Sequence, residues 1–123
     1  MAERTSNSSA LYAYLVANSL FTPRQLSIIL KQLKGSGKPE KMSSGAYYRQ
    51  VKQCRKKVLS VLYSMILMQS TGIVHAEASL TLDKLSEQLA VIFASESSDA
   101  LSKLNVDDVI SVINEVIKRV SKL

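Results

Sequence analysis

At 123 residues the chain is long enough for one modest core without disulfide or metal staples, and its 46% hydrophobic content excludes a mostly disordered protein. One cysteine (Cys54) and one histidine (His75) exclude an internal disulfide and a multi-ligand metal site within the chain, so a reducing compartment is expected. The net charge of +6 is unevenly placed: residues 1–57 carry eleven Lys/Arg against two acids, and residues 58–123 carry five against eight, which points to one polyanion-facing half and one that faces something else.

Met1–Ser8 reads as a polar tail, and the serine-rich opening has no apolar run, so no secretory leader is expected and a cytoplasmic setting is. Ser8 or Ser9 is placed to cap a first helix, SALYAYLVANSL, whose apolar face is Leu11, Tyr14, Leu15 and Ala17 to Leu20. Thr22-Pro23 starts the second, because the hydroxyl caps and the fixed φ of proline suits the first helical position. That helix, PRQLSIILKQLK, is expected to bury Leu26, Ile29, Leu30 and Leu33 and to end at Gly35. A loop follows over residues 35–44, with Lys38 driven out of helical geometry by Pro39, and Ser43 or Ser44 caps what comes next.

The stretch from Met42 to Gln69 is the organising element. Tyr47, Val51, Cys54, Val58, Val61, Met65 and Met68 recur in steps of four and three, which holds one apolar stripe on one side of a helix. Opposite it, Gly45, Arg49, Lys52, Gln53 and Lys56 project together. From Val58 to Met68 the helix is apolar nearly all round, and such a segment is expected to be enclosed, packed against the helices that follow. It is too short for a bilayer span, which takes ~20 apolar residues.

Residues 73–78, IVHAEA, fit a short strand, a turn or a wing-like excursion. Thr81 is placed to cap LDKLSEQLAVIFA, with Asp83 in the first turn, where the dipole favours a carboxylate. Ser95 to Lys103 reads as a connection. Asn105 caps the last helix, VDDVISVINEVIKRVSKL, with Asp107 and Asp108 in its first turn and Lys118, Arg119 and Lys122 in its last. Its wide apolar face includes Val109, Ile113, Val116, Val120 and Leu123, the candidate surface for pairing with a second copy. The expected fold is all-α: five helices, with the long central one packed on the two carboxy-terminal ones. Its parts are a tail over 1–8, a basic binding unit over 9–57, and an apolar and acidic helical core over 58–123.

Enzyme chemistry finds little to work with. Cys54 lies on the apolar stripe, where a buried inert thiol is the ordinary outcome, and His75 follows a helix end as a surface or capping side chain. Gly35-Ser36-Gly37-Lys38 fails as a phosphate-binding loop because Gln32 replaces the first glycine and Pro39 the magnesium-binding hydroxyl. The acids show no paired-carboxylate spacing. No catalytic residue, metal, cofactor, small-molecule substrate or membrane association is expected.

The basic helix is the stronger signal. Five Lys/Arg fall within Arg49–Lys57 with no acid among them, unlike a mixed-sign solvated face. Lys34, Lys38, Lys41, Lys52, Lys56 and Lys57 are candidates to neutralise phosphate, and Arg49, Gln50 and Gln53 to grip base edges bidentately. Ser43 and Ser44 sit at a helix amino terminus that favours phosphate, and Tyr48 is placed to pack on sugar. PRQLSIILKQLK, a loop and SSGAYYRQVKQCRKKV together resemble the helix-turn-helix family, in particular sigma-factor region 4 and response-regulator output domains. The likeness is carried by Thr22, Pro23, Arg24, Gln25, Ile29, Leu30, Gly35, Ser44, Tyr48, Val51 and Arg55. The family places a full middle helix between the positions of Gly35 and Ser44, and this sequence departs from it: only Ser36 to Ser43 is available, so that helix is shortened to a turn or missing. The likeness implies Arg49, Gln50, Lys52, Gln53 and Lys56 turned toward a major groove. The expected protein is a homodimeric binder of double-stranded DNA, a transcription regulator or chromatin-type protein. RNA binding, and docking of the basic helix on an acidic protein partner, are the rival readings.

Overall fold

The computed structural model describes residues 7–94 and 105–123, and helices form most of them. Five occur among these residues, with no strand: α1 (Asn7–Ala17), α2 (Pro23–Lys34), α3 (Ser44–Ser70), α4 (Ala78–Ala94) and α5 (Val106–Val120). The connection expected over Ser95 to Lys103 and most of the expected tail lie outside the described residues.

The helix boundaries follow local chemistry. Thr22 Oγ1 accepts from the Gln25 N–H at 3.1 Å, and Gln25 Oε1 accepts from the Thr22 N–H at 3.0 Å, a complete capping box ahead of Pro23. Gly35 ends α2 at φ 72°, a left-handed conformation that glycine adopts without steric cost. Ser43 Oγ accepts from the Ala46 N–H at 3.2 Å and starts α3. Asn105 Oδ1 accepts from the Asp108 N–H at 3.3 Å, with Asp107 and Asp108 in the first turn of α5.

Several boundaries differ from those read in the sequence. α1 begins at Asn7, inside the expected tail, and ends at Ala17, where Ser19 turns back to the Val16 carbonyl through both its N–H (3.1 Å) and its hydroxyl (2.8 Å). α4 begins at Ala78, not at a Thr81 cap: the Ala78 N–H reaches the His75 carbonyl at 2.9 Å, and the Thr81 N–H is already bonded to Glu77. Asp83 therefore lies beyond the first turn. α5 stops at Val120, and the ambiguous 73–78 segment explains why. Val74 and Ser121 form an isolated antiparallel bridge, flanked by His75 N–H to Val120 O and Lys122 N–H to Ile73 O, both 3.0 Å. The last residues pair with the turn after α3 in place of a final helical turn.

The chain divides into two compact units, one formed by the segments through Leu15 and from Met68 onward, the other by Val16–Leu67. In the first, α4 packs against α5. Tyr14 and Asn114 hydrogen-bond through the phenol and the amide (2.8–3.1 Å), and the rings of Tyr12 and Phe93 meet edge-on at 5.8 Å. Leu11, Ala78, Ile113 and Val120 are buried. Two of the five residues proposed for pairing are thus already spent: Ile113 is 1% exposed and Val120 8% in the single chain. Val109 and Val116 are half-buried, and Leu123 lies past the helix end. The α5 stripe is thus core at Ile113 and Val120, while Ile117 (49%) and Leu123 stay exposed.

In the second unit the core is Ile28, Tyr47 and Cys54, with Ile29, Met42 and Val51 packed on it. The buried side of α2 is centred on Ile28, while Leu30 and Leu33 are exposed, contrary to the periodicity reading. Gln25 and Gln32, one turn to either side of Ile28, bond to α3 and fix that side inward. The Val58–Met68 segment also departs from expectation. Leu59, Leu62, Tyr63, Met65, Ile66 and Leu67 are all exposed, so this apolar stretch is not enclosed. No helix among the described residues is long and apolar enough to cross a membrane.

Candidate nucleic-acid interface

The α2–α3 pair is stitched at both ends. Tyr47, 2% exposed, donates its phenol to Gln32 Oε1 at 2.7 Å, and its ring meets Tyr48 edge-on at 5.6 Å. At the other end the Cys54 thiol donates to the Gln25 carbonyl at 3.8 Å, and Lys57 Nζ donates to Gln25 Oε1 at 3.2 Å. Gln25 therefore closes the capping box of α2 and receives α3 at once. Burial pushes the Cys54 thiol above its ordinary value, and the nearby Lys57 charge offsets part of that rise. This is an inert core cysteine.

With Tyr47, Val51 and Cys54 turned inward, helical geometry presents the opposite side of α3 to solvent. Tyr48, Arg49, Lys52, Gln53, Arg55 and Lys56 are exposed, and Gln50 is half-buried. Arg49, Lys52, Arg55 and Lys56 fall within about 120° of one another at 3.6 residues per turn. No Asp or Glu occurs from Lys41 to Ala76, so α3 itself offers no counter-charge to this face. Lys34, Lys38, Lys41, Ser43 and Ser44 are exposed on and beside the connection between the helices. That connection holds only a turn at Glu40–Lys41, with the Met42 N–H on the Pro39 carbonyl at 3.1 Å.

Two of the candidates are partly committed elsewhere. Lys57 is half-buried and tied to Gln25, which makes it a strut between the helices and not a member of the open face. Ser43 uses its oxygen as the α3 cap. In compensation, two cations join that the sequence reading left out of the site. Arg55 stands on the exposed side in the 48-52-55-59 row. Arg24 lines an open depression with Thr22, Gln25, Ile28, Gln50, Gln53 and Cys54, which places a guanidinium at the same hollow as the two glutamines. The signal for Arg24 was available in its first-turn position on α2; only the antiparallel stitching of Gln25 to Cys54 and Lys57 brings it to Gln50 and Gln53.

The two compact units divide the charge more sharply than the sequence halves do. Val16–Leu67 contains ten Lys/Arg and one acid, Glu40, while the remainder contains six Lys/Arg and nine acids. The described residues contain no group of three or more His, Cys, Asp or Glu side chains able to hold a metal ion. No protein-family model matches the sequence, and neither known proteins nor solved structures give a significant match.

Proposed function

We propose that this chain binds nucleic acid, and duplex DNA in particular, through the exposed basic side of α3. The observation that carries the reading is the one-signed face itself: Arg49, Lys52, Arg55 and Lys56 exposed together on a helix that contains no acid. A polyanion that displaces condensed counterions gains entropy from such a face, whereas a merely solvated helix surface interleaves both signs. Arg24, Gln50 and Gln53 supply the planar, bidentate groups suited to base edges or paired phosphate oxygens. In this reading α2 is the supporting helix and α3 the inserted one, in the manner of a helix-turn-helix whose middle helix is reduced to a turn. Its action as a transcription regulator or chromatin-type protein in a reducing cytoplasm belongs to the same proposal, in keeping with a single buried thiol.

The test is a fluorescence-anisotropy titration of duplex DNA, single-stranded DNA and double-stranded RNA at two salt concentrations. Preference for duplex DNA, weakening steeply with salt, is the expected result. Preference for either of the other ligands would move the reading to RNA or single strands. No binding to any of them at low salt would sink it and turn attention to an acidic protein partner.

A further inference from the structure

The basic face of α3 does not end where its cations end. In steps of four and three, Tyr48, Lys52 and Arg55 continue into Leu59, Leu62 and Ile66, so one side of a single helix is cationic in its first half and apolar in its second. Leu59 (48%), Leu62 (49%), Tyr63 (72%), Ile66 (63%) and Leu67 (59%) are all uncovered there. Their spacing of i, i+3, i+4, i+7 and i+8 is that of a helix-packing stripe. Apolar residues scattered singly need no explanation, but a contiguous row of five on one helix does.

We infer that this stripe is the seam of a homodimer, in which α3 of one chain packs antiparallel on α3 of a second. Two features of the helix select that occupant. The first is area. At ~200 Å² for a fully exposed side chain of this size, the five offer about 600 Å² per copy, and a pair roughly 1,200 Å², which reaches the range of specific interfaces. The second is charge. Parallel packing would set Lys52, Arg55 and Lys56 of both copies side by side, whereas the antiparallel pair parts them by more than a Debye length. Centred on Tyr63, it also brings Lys56 level with Ser70 of the second copy. That is the carbonyl end of a helix with no basic residue in its own last turn.

Sedimentation equilibrium of the full chain, without nucleic acid, tests the pairing. The wild type is expected at twice its 13.5 kDa mass, and a Leu62→Glu, Ile66→Glu variant at one times, with unchanged helical circular dichroism. Disulfide trapping tests the direction, with the wild type, whose Cys54 is buried, as control. A mixture of Leu59→Cys and Leu67→Cys chains is expected to cross-link, and Leu59→Cys alone is not. A monomeric wild type, a variant that stays dimeric, or efficient Leu59→Cys self-cross-linking would each overturn the inference. A monomer that binds anionic vesicles through Leu62 and Ile66 would assign the stripe to a lipid surface instead. Because no step uses nucleic acid, a dimer that ignores DNA refutes only the proposed function, and a monomer that binds DNA refutes only the pairing.

Discussion

The sharpest consequence of the α3 geometry is a salt dependence that distinguishes lysines by where they point. Four exposed cations stand on α3 (Arg49, Lys52, Arg55, Lys56) and three beside it, Lys34 at the end of α2 and Lys38 and Lys41 on the connection. If all seven meet phosphate, the log–log slope of affinity against salt is about −6, at roughly 0.9 per contact. A fourfold rise in salt then weakens binding by several thousand-fold, on the order of 10^3.8. Replacing Arg49, Lys52 and Lys56 with alanine leaves about four contacts, a slope near −3.6 and a loss of roughly 150-fold over the same interval. Lys57→Ala is the internal control. Its ammonium is bonded to Gln25 at 3.2 Å and half-buried, so its loss is expected to leave the slope unchanged while lowering stability. Anisotropy titrations on one duplex at four salt concentrations measure all three slopes. A triple variant with the wild-type slope, or a Lys57→Ala slope shallower than wild type, would refute the assignment of the face.

Three further outcomes probe the scaffold. Tyr47→Phe, which removes only the bond to Gln32, is expected to cost about 1 kcal/mol in urea unfolding, and Tyr47→Ala about 3–5 kcal/mol because it empties the largest site in a three-residue core; equal losses would show that the ring packs loosely. Thr22→Ala removes the α2 cap and is expected to cost about 1 kcal/mol, with Thr22→Ser close to wild type. Because burial raises the Cys54 thiol, the folded state favours its neutral form. That contribution is full below the ordinary value of 9.0 and is lost as pH rises through the higher folded value. The alkaline decline in stability should therefore shrink in Cys54→Ala, and iodoacetamide should label the native chain only slowly.

How much of this was legible in the sequence depended on whether the signal was local. Most caps were: Thr22, Gly35, Ser43 and Asn105 act within three or four residues of themselves as their chemistry predicts, whereas Thr81 and Ser8 or Ser9 do not start α4 and α1. So was the inward row Tyr47, Val51 and Cys54, because its polar opposite side left one orientation for the helix. The inward side of α2 was not. PRQLSIILKQLK offers apolar residues on more than one side, and the choice of Ile28 over Leu30 and Leu33 is made by Gln25 and Gln32, whose partners lie on another helix. The Val74–Ser121 bridge was equally out of reach: a short strand was one reading of 73–78, but its partner lies 47 positions away at a segment read as helix. In the candidate site the same division holds. Arg49, Lys52 and Lys56 were readable from helical spacing, whereas Lys57 as a strut and Arg24 as a neighbour of Gln50 and Gln53 required the α2–α3 stitching.

The apolar half of α3 marks a deeper limit. Periodicity reports which residues must leave water, not which molecule removes them. Two wide apolar faces stood out in the sequence, one on α5 and one on α3, and nothing in their composition said which was internal. On α5, Ile113 (1%) and Val120 (8%) are buried, and α4 packs against this helix, while Ile117 (49%) stays exposed. The stripe from Leu59 to Leu67 remains open on a helix that carries its charge at the opposite end. The α3 stripe holds five exposed apolar residues, whereas the α5 face gives Ile113 and Val120 to the core, so association is to be sought first on α3. Its position on the same helix as the cations means that any partner seated there also fixes where those cations stand.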